Sequence, residues 1–475
     1  MRSSRSNQSG RMVVDPIHGD IHLTDLEWQV VDTGSFQRLR HIKQLGMGQV
    51  TYPSATHTRF AHSLGVLGIM IRILEVAPRE LFGRRPNCER DELRLAALLH
   101  DIGHYPYSHL MEKLDKVELT EDLVKNDVSS GKKVYERRPP YPGHVQLGRL
   151  IVTTQPDLIK AIGSKGRAKR VADLFSGGKA ANPQLSKLIS SSFDMDRADY
   201  LMRDSRAAGV PYGLVDINYL LNSLRVSPSG LVGVPEKALP AAEQFLFARY
   251  FIHRAVYFHK TTVGIEEACR QLLRRVRDAG KYGLPKDGEA VRKLVESDEL
   301  GLFTDAYVDR IIQEASKDQD SVIGALGRAV KTRRPPKLLK EVAVLSGRPD
   351  EPHVGTIFKQ NCRHRLAPLA REKDIPVGQF LFSVTKELSL EERSALVTEE
   401  EARDLPPEEA DPVIKVFMAD EEEPKSILQI SESIVSKCSG YRFQAFRLYV
   451  VCEGPDKQGT VGELRDRVKD WHEAP

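Results

Sequence analysis

Residues 99–109 read LHDIGHYPYSH, where an apolar run stops at a histidine–aspartate pair and two further histidines follow closely. A polar pair at the end of a helix can serve as a cap or as part of a metal site, and this stretch alone permits both. The preceding text, DELRLAALLHDIG (91–103), carries apolar residues at three- and four-residue spacing, so His100 and Asp101 close a helix. One helix face cannot surround an ion. A metal reading therefore needs lone pairs converging from other elements.

Two other segments offer them. His62 lies in RFAHSLGVLGIMIRILEVA (59–77), a helix expected to begin near Thr58, and Asp196 opens a third helix in SSSFDMDRADYLMRDSRAAG (190–209). Two imidazoles and two carboxylates suit one divalent Mn, Mg, Fe or Zn ion, with further positions open to water or phosphate oxygens. For a single histidine the ordinary reading is a satisfied core or surface residue. Here the surroundings change the weighing. His100, His104 and His109 recur near one helical turn, Glu112 follows three residues later, and even with a break at Pro106 they can gather on one side. Such imidazoles suit general acid–base work on a phosphate ester, and His144, after the PPYPG turn, can join them with Glu112 as its orienting carboxylate.

A polyphosphate also needs cations and hydrogen-bond donors. Asp196, Tyr200 and Asp204 form one stripe in DMDRADYLMRD, with Arg197 and Arg203 beside it. Arg249, His253 and Tyr257 repeat the spacing in ARYFIHRAVYFHK, with Lys260 following. A polar stripe on an apolar helix is costly to bury unless an anionic or hydrogen-bonding group faces it; a buried salt-bridge network between helices is the competing reading. Arg59, on the face of His62, adds a phosphate-sized fork.

Around these segments lies an ordinary soluble composition: 475 residues, 40% hydrophobic and 29% charged, with net charge +4 and mean hydropathy −0.37. That charge does not by itself argue for nucleic acid or membrane. Cys88, Cys269, Cys362, Cys438 and Cys452 are scattered without CxxC spacing and read as reduced thiols. No apolar run suits a membrane span and no hydrophobic signal core is present, so the expected location is cytoplasmic. Residues 1–11 read as disordered, 12–335 as a mainly helical domain, and 336–475 as a smaller α+β lobe. In that lobe VIKVFMA (413–419) and FRLYVVC (446–452) predict strands, and SILQISESIVSKC (426–438) predicts a helix, after an acidic linker at 398–412. The basic Gly/Ser/Pro-rich stretches 125–143 and 163–183 predict surface loops.

The motifs together resemble the HD-domain phosphohydrolases, through His62, His100–Asp101 and Asp196. DPIHGDI (15–21), FQRLRHIKQLG (36–46), HTRFAHSLGV (57–66), HDIGHYPYSH (100–109), DMDRADYLMRD (194–204) and HRAVYFHK (253–260) narrow this to the deoxynucleoside triphosphate triphosphohydrolases. They are most similar to the branch of the SAM-and-HD-domain restriction factor and its bacterial relatives. The resemblance implies a mainly α HD-domain core and one metal on His62, His100, Asp101 and Asp196. It implies acid–base and α-phosphate roles for His104, His109, Glu112 and His144. Arg59 would hold the α-phosphate, and Arg197, Tyr200 and Arg249 the outer phosphates, with Arg197 standing where a lysine is expected. His253 belongs to the same substrate-facing stripe. Gln44 and Asp204 match positions for the sugar 3′-hydroxyl, and Leu45 and Tyr257 match those against the 2′ side. The implied reaction is attack of water at the α-phosphorus of a dNTP, giving a deoxynucleoside and triphosphate. The implied partners are the dNTP, a dimeric or tetrameric homo-oligomer, and an activating GTP or dNTP at Asp32, Gln37 and Arg40, where Val14 departs from the family's polar residue. Nucleic acid is permitted but not required, and no membrane is implied. Two other readings stay open: an HD hydrolase of another nucleotide or single-stranded nucleic acid, using basic stretches 131–138 and 165–170, and a nucleotide-sensing or nucleic-acid-binding protein without catalysis.

Overall fold

The computed structural model describes residues 11–473 apart from 78, 84, 126–138, 179–184, 187–188, 190–194, 228–230, 348–353, 391–413, 420 and 455–456. Residues 1–10, most of the basic stretch 125–143 and the acidic linker 398–412 thus lie outside the described residues. The architecture is mainly α, 60% helical, and the described residues form three small sheets.

At its centre is the helix Arg59–Val76, started by Thr58, whose hydroxyl accepts from the Ala61 amide. Most of it is buried, including Leu64, Val66, Leu67, Ile69 and Met70, and only Glu75 and Val76 at its end are exposed. A helix apolar on all sides must be covered on all sides. The helices Pro86–Leu99 and Met195–Ala208 supply much of that cover. Pro86 sits in the first turn of its helix, where a missing N–H is harmless. Each fully buried leucine or isoleucine here contributes about 1.5–3 kcal/mol of hydrophobic stabilisation. This core places His62 beside the end of one neighbouring helix and the start of the other.

The chain after Leu99 leaves the helix with His100 still in helical geometry. It passes through tight turns to Tyr107 and Ser108, both left-handed at φ 55° and 56°. Two successive non-glycine residues at positive φ are costly and need outside support. Support comes from Asp305 Oδ1, which accepts from the Tyr107 amide at 2.6 Å, and from the Ser108 hydroxyl, which donates to the Lys43 carbonyl at 2.8 Å. The buried Arg38 guanidinium donates to the carbonyls of Ile102 (2.6 Å) and His104 (3.0 Å), pinning the same turn. Gly103 lets the helix His144–Thr154 come close, since a Cβ there would lie 2.0 Å from the His144 carbonyl oxygen.

Strands β1 (Arg11–Asp15) and β2 (Gly19–Leu23) form an antiparallel hairpin beside the central helix. Strands β3 (Arg225–Val226), β4 (Val232–Pro235), β7 (Lys415–Phe417) and β8 (Lys425–Ser426) make a second sheet in that order. It draws strands from both sides of residue 335, the boundary expected between the two domains. The third sheet has β9 (Arg442–Val450) between β5 (Lys337–Ser346) and β6 (Phe380–Val384), all antiparallel. It packs with the helices Val354–Glu372 and Lys457–Val468 around Phe358, Phe380, Leu448 and Trp471. Tyr449 of β9 donates to the Lys260 carbonyl at 2.8 Å and ties this lobe to the helix Lys260–Asp278.

Two local expectations are corrected. The stretch 163–183 is not a plain loop, because Lys165–Ser176 is a helix. Gly163 ends the preceding helix Pro156–Ile162 in the left-handed region, Ser164 caps the next one, and Gly177 closes it. Ala168, Val171, Ala172, Leu174 and Phe175 are buried on its inner face. Gly and Ser here are caps, not loop filler. The helix expected over 426–438 is two short pieces, Ile427–Gln429 and Ile434–Lys437, each with its own serine cap. The strands expected at 413–419 and 446–452 appear as β7 and β9, and all five cysteines are free.

Candidate functional site

His62, His100, Asp101 and Asp196 meet in one buried pocket. His62 Nε2 lies 2.9 Å from Asp196 Oδ1 and 3.4 Å from Asp101 Oδ2. His100 Nε2 lies 3.4 Å from Asp101 Oδ1 and 3.7 Å from Asp196 Oδ1. Neither Nε2 makes a hydrogen bond among the described residues, although both are buried. Each ring's other nitrogen is engaged: His62 Nδ1 with Asp199 Oδ2 at 2.7 Å, and His100 Nδ1 with the Ala97 carbonyl at 2.9 Å. Those partners commit the Nδ1 protons and turn both Nε2 lone pairs into the pocket. Two orphaned imidazole nitrogens face Asp101, a cluster that could hold a metal ion, and Asp196 borders it from a third element. Burial alone would lower His62, but the carboxylates of Asp196, Asp199 and Asp101 hold it at about 10. A proton and a cation therefore compete for the same nitrogen.

The second group lies against the first. His104 Nε2 is 3.1 Å from Asp101 Oδ1. The His104 ring stacks on His144 with centroids 4.3 Å apart and planes 16° apart, and His109 meets both edge-on. Glu112 joins His109 and His144: its Oε2 accepts from His109 Nδ1 and its Oε1 from His144 Nδ1, both at 2.9 Å. The Oε1 atom also accepts from the His144 amide at 2.8 Å. Burial opposes ionisation of Glu112, but these hydrogen bonds outweigh it and hold its carboxyl well below the usual range. His104 is lowered by burial and then by the Arg59 charge, and His109, whose side chain is 51% exposed at the mouth, is lowered as well. Both are neutral at pH 7. The three histidines offer nitrogens close enough for an ion. However, stacked rings keep their lone pairs in two nearly parallel planes, so His104 and His144 cannot both aim at one ion as they stand.

The substrate-facing residues are divided. Asp204 accepts from Tyr257 Oη at 2.5 Å and pairs with His57 Nε2 at 2.7 Å. Tyr200 and His253 lie beside Tyr257, with ring centroids 6.4 and 4.7 Å away. Residues His253–Tyr257 form a π turn, which ends the helix Leu239–Ile252 before the Lys260–Asp278 helix starts. His253 is lowered well below the usual imidazole range by burial, then by Arg249, Lys386 and Arg197, so these cations share its neighbourhood. Gln44 is buried, with Oε1 unpaired among the described residues, and Leu45 is half-buried beside it.

Two arginines are engaged differently from the sequence expectation. Arg59 donates to Asp101 Oδ2 at 2.6 Å and Ser108 Oγ at 3.0 Å, so its fork grips a pocket carboxylate. Arg249 donates to the carbonyls of Ser389 and Leu390 at 2.9 and 3.2 Å, closing the C-terminal lobe over that end of the stripe. Asp32, Gln37 and Arg40 lie on the surface beyond the hairpin. Arg11 Nη1 is 3.9 Å from Asp32, while Arg40 donates to Gln37 Oε1 at 2.7 Å and covers the Phe60 ring at 3.6 Å. Asp199, His18 and His57 also border the site, and no spacing pattern in the sequence marks them. His18 and His57 do lie inside the motifs DPIHGDI and HTRFAHSLGV, which was their only signal.

A histidine–aspartate pair at a helix end, completed by a histidine and an aspartate from flanking helices, defines an HD domain. The chain carries such a domain: the HD domain matches residues 59–204, and the HD associated region follows over residues 215–423. Uncharacterized protein YwfO of Bacillus subtilis is 34% identical over 276 residues, covering 57% of this chain and 56% of that protein. The chain thus spans about half the length of this relative. Deoxynucleoside triphosphate triphosphohydrolase SAMHD1 of Bos taurus is 26% identical over 490 residues, covering 97% of this chain and 78% of that protein. Among solved structures, a phosphohydrolase from Bacteroides thetaiotaomicron shares the fold with a TM-score of 0.65 at 22% identity, over 93% of this chain and 99% of that one. No helix among the described residues is long and apolar enough to cross a membrane.

Proposed function

We propose that this chain is a metal-dependent hydrolase of deoxynucleoside triphosphates, releasing a deoxynucleoside and inorganic triphosphate. One observation carries the proposal. Asp101 faces the cation pocket with both oxygens and also touches His104, so a metal-fitting site and the imidazole group of His104, His109 and His144 share one wall. A divalent cation on His62, His100, Asp101 and Asp196 would supply Lewis-acid polarisation of a phosphoryl oxygen. The remaining work falls to this chain's side chains. His104 and His109, neutral at pH 7, can donate or accept a proton beside the reacting phosphate, and ionised Glu112 holds His109 and His144 by their Nδ1 protons. Arg197, Tyr200 and Arg249 bind the outer phosphates. Arg59 binds the α-phosphate from its seat on Asp101 and Ser108. Gln44 and Asp204 take the sugar 3′-hydroxyl, and Leu45 with Tyr257 closes the 2′ side.

The likeness to a deoxynucleoside triphosphate triphosphohydrolase along nearly the whole chain supports this substrate class. Nucleic acid is disfavoured at the basic stretch 165–170. There Arg167 pairs with Asp91 at 3.2 Å and Arg170 with Glu92 at 2.7 Å, which spends their charge within the fold. Activation by GTP or a dNTP at Asp32, Gln37 and Arg40, and assembly into a dimer or tetramer, belong to the same proposal. The test is an assay of purified protein with Mn²⁺ or Mg²⁺ and each dNTP, with and without GTP, resolving the products by chromatography. Triphosphate plus deoxynucleoside is expected. Pyrophosphate, orthophosphate or shortened oligonucleotides would point to another phosphoester, and tight nucleotide binding without turnover to a sensor.

A further inference from the structure

Asp199 is fully buried, yet it lies outside the four pocket ligands. It sits one turn after Asp196 on the helix Met195–Ala208. Its two oxygens are saturated. Oδ2 takes His62 Nδ1 at 2.7 Å and Arg203 Nε at 2.8 Å, while Oδ1 takes His18 Nε2 at 2.6 Å and Arg203 Nη2 at 2.9 Å. Arg203 reaches on to Asp15 Oδ2 at 3.0 Å. The other oxygen of Asp15 accepts from the amides of Ile17 (2.8 Å) and His18 (3.0 Å), which fixes the hairpin turn that presents His18.

Burying a carboxylate completely is expensive unless every lone pair is used, and here all are. The central helix makes room for the network. A Cβ at Gly65 would lie 2.0 Å from Asp199 Oδ1 and 2.3 Å from Arg203 Nη2, so a larger residue would expel it. The result is a carboxylate that cannot rotate, held against one nitrogen of a histidine whose other nitrogen faces the cation pocket. Accepting the Nδ1 proton selects the tautomer with its lone pair on Nε2, and raises the ring's strength as a donor to a cation.

We infer that Asp199 is the positioning residue for His62, and that the β1–β2 hairpin, through His18 and Asp15, is part of the metal centre. The hairpin lies outside the span matched by the HD domain. The inference rests on the proposed metal site, since it concerns how that site is held.

The test titrates metal-stripped full-length protein with Mn²⁺ alone, followed by electron paramagnetic resonance, with thermal unfolding of each variant alongside. Wild type is expected to bind one ion per chain and His62→Ala to lose it. Asp199→Asn is expected to weaken Mn²⁺ binding about 10- to 100-fold, and His18→Gln to weaken it less, with the Co²⁺ absorption spectrum altered in both. Should Asp199→Asn fail to fold, His18→Gln decides alone, because His18 belongs to the β1–β2 turn and not to the helical core. Wild-type affinity and spectrum in folded His18→Gln and Asp199→Asn would overturn the inference while leaving the metal site standing. Failure of wild type itself to bind Mn²⁺ would remove the metal site and the inference with it.

Discussion

The cation pocket and the imidazole group beside it are built from the same residue types, yet their geometry gives them different chemistry. In the pocket, His62 and His100 commit Nδ1 to partners behind them and present bare Nε2 atoms to Asp101 and Asp196. In the neighbouring group the carboxylate takes the protons: Glu112 binds Nδ1 of both His109 and His144, and His144 stacks on His104. Carboxylates that face the inner nitrogens of two rings make a site that a proton or a cation can fill. A carboxylate that takes the Nδ1 protons of two rings orients an acid–base group. Ring orientation, not composition, separates the two.

The largest expected effect comes from the shared wall. Asp101→Ala should abolish both Mn²⁺ binding and hydrolysis, a greater loss than the ~100-fold that removing a supporting partner brings; metal analysis of the purified variant checks this. Glu112→Gln should lower kcat about 100-fold while one Mn²⁺ per chain remains bound. If it loses the ion as Asp101→Ala does, the division into two groups is wrong. Tyr257→Ala removes the ring placed on the 2′ side and the donor to Asp204, and should narrow the preference for dATP over ATP about 10-fold, as measured by kcat/KM on each.

The smallest effect concerns the far end of the stripe. His253 is held below its ordinary value of 6.5 by burial and then by Arg249, Lys386 and Arg197. The unfolded chain binds a proton there as the pH drops through 6.5 while the folded chain does not. Stability present above that pH is therefore lost as the pH falls. His253→Gln should flatten this loss, seen as a smaller drop in Tm between about pH 7.5 and about pH 5.5.

Much of this was legible in the sequence because it depends on spacing. The helix ending at His100–Asp101, the pocket set, and Glu112 as the carboxylate for His144 all follow from short-range pattern plus one motif apiece. Asp199 did not, since an aspartate in DMDRADYLMRD carries no sign of which oxygen meets which helix. Its role depends on Gly65 and His18, far off in the chain. Arg59 shows a different limit: its motif does not reveal that the guanidinium is seated on Asp101 and Ser108 by packing. The helix Lys165–Ser176 was hidden because glycine and serine mark both loops and helix ends, and only burial of Val171 and Phe175 tells them apart. The segment 426–438 had helical periodicity over a length that tertiary contacts divide between two caps.

The sheet that draws on both sides of residue 335 bears on how the polypeptide reaches its final form. In it Val234 pairs in parallel with Val416. As the chain emerges from the ribosome, the β3–β4 ribbon, ending at Pro235, must wait until Lys415–Phe417 has been made before β4 gains its neighbour. Until then the ribbon is only two strands wide, marginal by itself, with an open edge that invites pairing with other chains. A recombinant fragment stopped at residue 335 would keep that edge permanently, and would be the version most prone to aggregate.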